Sequence, residues 1–259
     1  MNSNVLIEKK GHVFIIRLNQ PNSMNSLEKD LRDDFKEALM KFRDDQEARV
    51  AILTGQGRAF CAGGSLAELK EGMTAIDGVN YMLSVSEIIQ LITNIAKPIV
   101  AAVNGAAVGA GFNIALACDM VIASSNAVFS QAFAKVGLIP DLGGLYFLPR
   151  VVGMHKAKEL IFTAKMIKAD EALQMGIVNR VVVAEEFEAR ALDIATKIAE
   201  GPSVAFGLGK MILSRSMEKN LDDVLQYEAL AQAICMQSDD HKEGVKAFYE
   251  KRNPVFGGK

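Results

Sequence analysis

The sequence predicts an α/β fold in which mostly parallel strands alternate with helices, and three observations lead to this prediction. Short apolar runs with strand character recur from Val5 to Val183. Apolar residues spaced three or four positions apart, as in amphipathic helices, fill stretches between these runs. Two of the runs lead directly into glycine-rich loops that open helices. This alternation is typical of parallel strand pairing.

The N-terminal elements are predicted as a hairpin, a helix and a buried strand. Val5–Glu8 and Val13–Leu18 have strand character and are joined through Lys10-Gly11. The helix is predicted from five apolar residues at helical spacing: Leu27, Leu31, Phe35, Leu39 and Phe42. The strand Val50–Leu53 then leads into a first glycine-rich loop, Thr54–Gly64.

The same order then recurs. A helix from Tyr81 to Ala96 precedes the strand Ile99–Val103, and a second glycine-rich loop, Asn104–Gly111, opens a helix through Cys118. The other predicted core elements are the strands Met120–Ala123, Val128-Phe129 and Val178–Val183 and the helix Asp170–Met175.

The character of the chain changes at Gly201-Pro202. Residues 1–200 are predicted as the α/β core, and residues 201–259 carry three helical segments without strand character: Ser203–Met217, Leu221–Gln237 and Asp240–Lys251. This tail is either a helical layer of the same domain or an appendage that packs on the core, on a partner subunit, or on both.

Composition excludes several classes of function. Of the 259 residues, 50% are hydrophobic and the net charge is −2, so neither a nucleic-acid nor an anionic-membrane surface is indicated. No leader or membrane-spanning run is recognisable, and we expect a cytoplasmic location. Three separated cysteines and three histidines favour neither disulfides nor a metal site: Cys61, Cys118, Cys235, His12, His155 and His241.

The first glycine-rich loop ends in a helix-start pattern. Ser65 followed by Glu68 matches a capping box, which predicts that a helix begins at Ser65. The N–H of Gly64 would then lie beside the positive end of that helix, a position that suits an anion or a developing oxyanion.

The second loop is rich in glycine and alanine, so its backbone can approach a ligand closely. Two N–H groups, one from each loop, would make an oxyanion hole. The alternative is that the glycines serve only tight turns and helix packing. Neither loop matches the P-loop, and Gly105–Gly109 lacks the spacing of a dinucleotide fingerprint.

Five stretches of the chain, in order, resemble the enoyl-CoA hydratase/isomerase family of the crotonase superfamily: LTGQGRAFCAGGSL, KPIVAAVNGAAVGAGFNIALACDMVIA, VGLIPDLGGLYFLPRVVG, ADEALQMGIVNRVV and EGVKAFYEKRNPVF. The resemblance implies a spiral of ββα turns with a C-terminal helical trimerisation region, and a homotrimer or hexamer. It also implies an acyl-CoA substrate, with no separate cofactor because coenzyme A is part of the substrate.

The resemblance also implies roles for individual residues. Gly64 and Ala110 would supply the oxyanion-hole N–H groups, and Ala62 and Leu66 would contact the CoA adenine through their backbones. Lys251 matches a lysine that contacts CoA phosphates; its alternative is a solvated charge. Where the family usually has aspartate, Ser65 stands, and either residue can cap a helix.

The proton-transfer residues depart from the hydratase pattern. The two glutamates of typical hydratases correspond to Asn113 and Phe133, and neither side chain can act as a general base. Asn113 is predicted either to hydrogen-bond substrate or water, or to be a satisfied buried amide. Phe133 and Tyr146 either line an acyl pocket, together with Phe112, or pack in the core.

Asp141 is the candidate base. QAFAKVGLIPDLGGLYFLPR, from Gln131 to Arg150, is similar to the branch that contains the ring-opening epoxyphenylacetyl-CoA isomerase of phenylacetate breakdown. One carboxylate can move a proton between two carbons, and apolar neighbours would raise its pKa. The alternative is that Asp141 only caps a helix.

The function expected from these residues is double-bond isomerisation of an enoyl-CoA with Asp141 as the base. Three alternatives remain: an enoyl-CoA hydratase, a CoA-ester binding subunit with little catalysis, and a serine hydrolase. The hydrolase is disfavoured because no GxSxG motif occurs and Ser65 serves better as a cap.

Overall fold

The computed structural model describes residues 3–69 and 73–258. The strands β1 to β10 are Val5–Lys10, Val13–Leu18, Val50–Gly55, Ala59–Cys61, Ile99–Val103, Ala106–Val108, Met120–Ser124, Val128–Ser130, Ile167–Lys168 and Arg180–Val182. The helices α1 to α11 are Lys29–Asp44, Leu66–Leu69, Ala75–Asn94, Ala110–Ala117, Gly144–Val152, Met154–Thr163, Ala169–Gln174, Phe187–Ala199, Ser203–Ser216, Leu221–Gln237 and Asp239–Glu250.

Two sheets build the core. The larger has the order β1-β2-β3-β5-β7-β10 and is parallel except for the β1–β2 hairpin. The smaller has the order β4-β6-β8-β9, with β9 antiparallel to β8. The pairs β3–β4, β5–β6 and β7–β8 each send one strand to each sheet before the next helix. This arrangement confirms the predicted α/β spiral of ββα turns.

The larger sheet is covered on both faces, which explains its apolar strands. Along β2, Phe14 and Ile16 point to the face covered by α1, and Val13 and Ile15 point to the face covered by α8. The predicted stripe of α1 is confirmed as core, with four helix residues fully buried: Leu31, Phe35, Leu39 and Phe42. Leu27 is also buried, although α1 begins only at Lys29.

The strands β4 and β6 lie inside the stretches predicted as glycine-rich loops, and this is a correction. They pair in parallel, with Ala59 opposite Ala106 and Cys61 opposite Ala107. Three residues are too few to show a strand period, so only the pairing between distant segments reveals these strands. The helix α3 begins at Ala75, well before Tyr81, because Thr74 accepts a hydrogen bond from the N–H of Asp77.

Three helices follow Pro202, as predicted, and one buried lysine joins them to the core. The Nζ atom of Lys210 donates to the carbonyls of Ile92 at 3.0 Å and Lys97 at 3.2 Å. It also pairs with Asp119 at 2.7 Å. The division at residue 200 and the trimerisation role of the tail stay predictions. Among the helices in the described ranges, none combines the length and the apolar character needed to cross a membrane.

Candidate active site

The first glycine-rich loop is held by the segment that precedes α1. The N–H of Leu27 donates to the carbonyl of Gly63 at 2.8 Å, and the N–H of Ala62 donates to the carbonyl of Met24 at 3.0 Å. The buried Asn25 adopts the left-handed region with φ 56°. Its Nδ2 atom donates to the carbonyls of Ala59 and Phe60 beside the loop. The loop is therefore fixed from both sides before any ligand binds.

The second loop packs directly against the first. The helix α4 begins at Ala110, and Gly109 precedes it with φ 55°. A side-chain carbon on Gly111 would overlap the carbonyl of Cys61, so glycine allows α4 to approach β4 closely. A carbon added to Gly63 would lie 3.2 Å from the nitrogen of Ala110. The two loops therefore meet at Gly63 and Ala110.

The two predicted oxyanion-hole N–H groups lie on these adjoining loops. Within residues 3–69 and 73–258, no acceptor is bonded to the N–H of Gly64 or of Ala110. The Ala110 N–H belongs to the first turn of α4, where N–H groups have no partner within the helix and the dipole is positive. Gly64 faces open space. Both donors are thus suited to a thioester oxygen.

The helix α2 begins at Leu66, one residue after the predicted start at Ser65, so Ser65 directly precedes the helix. The role predicted for Glu68 in a capping box is wrong, because its carboxylate is engaged on a different helix. It accepts the N–H of Lys29 in the first turn of α1 at 2.9 Å and pairs with Arg32 at 2.6 Å. These charged and helix-terminal donors bind a carboxylate more strongly than a neutral backbone N–H.

Tyr81 belongs to the same cluster and was not singled out from the sequence. Its hydroxyl accepts from Arg32 at 3.2 Å and donates to Glu68 at 3.4 Å. Burial raises the pKa of Tyr81, and the charge of Asp141 adds to this rise. Tyr81 therefore lies within electrostatic range of the candidate base. The sequence around Tyr81 does not indicate a functional role, because its contacts with Arg32 and Glu68 join residues distant in sequence.

Asp141 has the environment expected of a base. Its Oδ1 atom is buried and has no hydrogen-bond partner among the described residues. Burial raises the pKa of Asp141 to about 6. The helix α5 begins at Gly144 and has Gly143 as its N-cap, without a side-chain capping bond. The alternative that Asp141 serves only as a helix cap is therefore wrong.

Asn113 holds the main chain at Asp141. Its Nδ2 atom donates to the carbonyl of Asp141 at 2.8 Å, and its Oδ1 atom accepts from Nε2 of Gln131 at 2.7 Å. A side-chain carbon on Gly144 would overlap the Asn113 amide. Both ends of this fully buried amide are used inside the protein. This favours the satisfied amide over the predicted substrate contact of Asn113.

Asn113 and Ala110 are one turn apart on α4, so the tether brings the Asp141 backbone within reach of the oxyanion donors. Phe133 lies at the same place: its ring is 3.6 Å from the position of a carbon added to Gly109. Phe133 is buried in the core cluster that also contains Phe112. Its predicted contact with the acyl group stays a prediction.

Tyr146 lies apart from these groups. The guanidinium of Arg150 stacks 3.5 Å from the centre of its ring, and a hydrogen bond to Glu218 raises its pKa. These residues line a cavity of about 540 Å³ between α3, α5 and α9. Tyr146 therefore faces the helical tail. Its predicted contact with the acyl group stays a prediction.

The three residues predicted to bind CoA are Ala62, Leu66 and Lys251. The N–H of Ala62 is already bonded, which limits a contact with adenine to its carbonyl. Leu66 is exposed at the start of α2. Lys251 is exposed at the C-terminal end of α11, where it adopts φ 54°. Their contacts with CoA stay predictions.

The chain is similar to known proteins along nearly its whole length. Residues 8–259 match the family model described as Enoyl-CoA hydratase/isomerase. The chain is 40% identical to the short-chain-enoyl-CoA hydratase of Clostridium acetobutylicum over 96% of each chain. It is 36% identical to the 1,2-epoxyphenylacetyl-CoA isomerase of Escherichia coli over 97% of each. The crystal structure of an enoyl-CoA hydratase from Bacillus anthracis superimposes with a TM-score of 0.93 at 35% identity, covering 99% of this chain and 100% of the other. The chain therefore belongs to the enoyl-CoA hydratase/isomerase family.

Proposed function

We propose that the protein isomerises the double bond of an enoyl-CoA thioester, with Asp141 as the single acid–base residue. The observation that carries this proposal is the buried Oδ1 atom of Asp141, which has no hydrogen-bond partner within the described ranges. The carbonyl of Asp141 is bonded to Asn113, which lies one helical turn from Ala110. Carboxylates that are buried without a partner are strong bases near neutral pH.

The reaction needs two proton transfers and no water. Asp141 takes a proton from a carbon on one side of the double bond, so that a C–H bond breaks and an O–H bond forms. The electron pair moves to the thioester oxygen, where the N–H groups of Gly64 and Ala110 stabilise it. The proton then returns to the carbon at the other end, and the double bond has moved by one position.

Hydration is the second candidate, because relatives such as the Clostridium acetobutylicum protein are named hydratases. Water addition needs the water to be activated and a proton to be delivered to the carbon next to the carbonyl. The side chains of Asn113 and Phe133 supply neither group. A third possibility is a subunit that binds CoA esters with little catalysis.

A panel of substrates separates these candidates. Purified protein is supplied with 2-enoyl-, 3-enoyl- and epoxy-acyl-CoA, and both double-bond migration and water addition are followed. We expect migration in the wild-type protein and its collapse in Asp141→Asn, with CoA-ester binding retained. Asp170→Asn, at an exposed position, is the matched control. Migration at the wild-type rate in Asp141→Asn would rule out the assigned base, and water addition alone would favour the hydratase.

We also propose that the protein works in the cytoplasm as a homotrimer or a dimer of trimers. The helix α10 buries none of its residues in this chain and exposes Leu225, Leu230 and Ile234. Such a face is typical of a subunit contact. Light scattering of the purified protein tests this, and a monomer at micromolar concentration would contradict it.

A further inference from the structure

We propose that Gln131 is a positioning residue. It fixes the orientation of the Asn113 side-chain amide and thereby the position of Asp141. This inference rests on the proposed role of Asp141 as the base. Among the described residues, Gln131 makes no hydrogen bond to the carboxylate of Asp141. It acts through a chain of two hydrogen bonds.

The first step is the orientation of an amide that could face either way. The Oδ1 atom of Asn113 accepts from Nε2 of Gln131 at 2.7 Å, and no other described residue donates to it. With Oδ1 fixed on Gln131, the Nδ2 atom faces the carbonyl of Asp141 and donates to it at 2.8 Å. A turned amide would set two oxygens against each other, because a carbonyl oxygen is only an acceptor.

The second step is the turn that carries the base. Directly after Asp141, Leu142 and Gly143 adopt left-handed backbone conformations, with φ 43° and φ 78°. A leucine in the left-handed region is strained and persists only where its surroundings hold it. The carbonyl of Asp141 is one of the points at which this turn is held. Without the tether, the turn can relax and the carboxylate can reach solvent.

Gln131 contributes little to the stability of the fold, so a positioning role can be distinguished from a general structural role. It is 1% exposed, and its Oε1 atom has no hydrogen-bond partner in the described part of the chain. An unpaired buried acceptor is destabilising, and this offsets the gain from the bond to Asn113. Replacing Gln131 by an apolar residue of similar length should therefore leave the fold stable.

The variants Gln131→Met and Gln131→Leu test the inference. Methionine and leucine both remove the donor at similar volume and without adding a charge near Asp141. The control is Ser130→Ala, which removes the neighbouring buried bond from Ser130 Oγ to the carbonyl of Ala164 at 3.0 Å. The pKa of Asp141 is measured by carboxyl NMR in the substrate-free protein, and kcat and KM are measured across pH.

In both Gln131 variants we expect the pKa of Asp141 to fall from about 6 towards its ordinary value of 3.8. Turnover should drop at least about tenfold at little change in KM, as small misplacements of a catalytic group do. Ser130→Ala should lower stability and leave both readouts unchanged. An unchanged pKa of Asp141 in folded Gln131→Met would overturn the inference. A shifted pKa with full activity would support Gln131 as a positioning residue and overturn Asp141 as the base.

Discussion

The side-chain amide of Asn113 donates to the main-chain carbonyl of Asp141 at 2.8 Å, and this bond joins the helix of the oxyanion hole to the candidate base. In typical hydratases of the family, position 113 would carry a glutamate that acts on the substrate. Here the residue at that position holds a neighbouring segment instead. The held segment itself carries a carboxylate, that of Asp141, and this is the group that we propose to transfer the proton.

The raised pKa of Asp141 predicts the pH dependence of double-bond migration. The base must be ionised to accept a proton, and burial places this ionisation at about pH 6. We expect kcat/KM to be level above that pH and to fall about tenfold per unit below it. An acid limb centred near pH 4, the range of an ordinary aspartate, would contradict the desolvated environment of Asp141.

The same ionisation predicts that Asp141→Asn stabilises the fold. The pKa of Asp141 in the folded protein, about 6, exceeds its ordinary value of 3.8, so the folded state disfavours the charged form. This cost is fully present above pH 6 and disappears as the pH falls below 4, where the group is protonated in both states.

At pH 8, we expect Asp141→Asn to raise the free energy of unfolding by about 1–3 kcal/mol, a range discounted for partial exposure. Urea unfolding at pH 8 and pH 4 measures the difference. Asp170→Asn should show none, and an Asp141→Asn protein less stable than wild type at pH 8 would count against this account.

The proposed oxyanion hole predicts different turnover for two substitutions at Gly64. Proline deletes the N–H, and the loss of one such donor typically lowers turnover by about 10²–10³. Alanine keeps the N–H, and a carbon added at Gly64 meets no atom within 4 Å. We expect Gly64→Pro to lose turnover of any thioester substrate and Gly64→Ala to retain more of it. Equal turnover in both folded variants would remove Gly64 from the oxyanion hole.

The buried Lys210 predicts how the helical tail is attached. Lys210→Met removes the cation that pairs with Asp119 and the donor to two carbonyls, and Asp119 keeps the N–H of Ile99. We expect a loss of about 2–4 kcal/mol in the free energy of unfolding, below the full range for a broken buried pair because Asp119 is partly exposed. Lys219→Met, at an exposed position near the end of α9, is the control. Equal stability of the two variants in urea would show that the tail is held by other contacts.

The sequence was most informative where a local pattern decides the structure. The apolar stripe from Leu31 to Phe42 follows from helical spacing, and the strand Ile99–Val103 follows from its continuous apolar run. The strands β4 and β6 do not, because each has only three residues and becomes a strand by pairing with segments distant in sequence. The capping box failed for a similar reason: Glu68 has stronger partners in Lys29 and Arg32, far away along the chain.

The candidate site divides in the same way. Gly64, Ala110 and Asp141 could be identified because their residue types and neighbours carry a recognisable pattern. Gln131 and Tyr81 could not, because their significance depends on single atoms that meet across the fold. From the sequence, Asn113 could either contact substrate or be a satisfied buried amide. Its two hydrogen bonds in the structure favour the satisfied amide.

The close contact between Asn113 and Gly144 restricts the routes by which this enzyme could diverge. The amide occupies the space that any side chain at position 144 would need. A longer glutamate at position 113 would press on the same backbone and would remove the tether of Asp141. A glutamate at position 113 would therefore need a compensating change in the turn at positions 141–144.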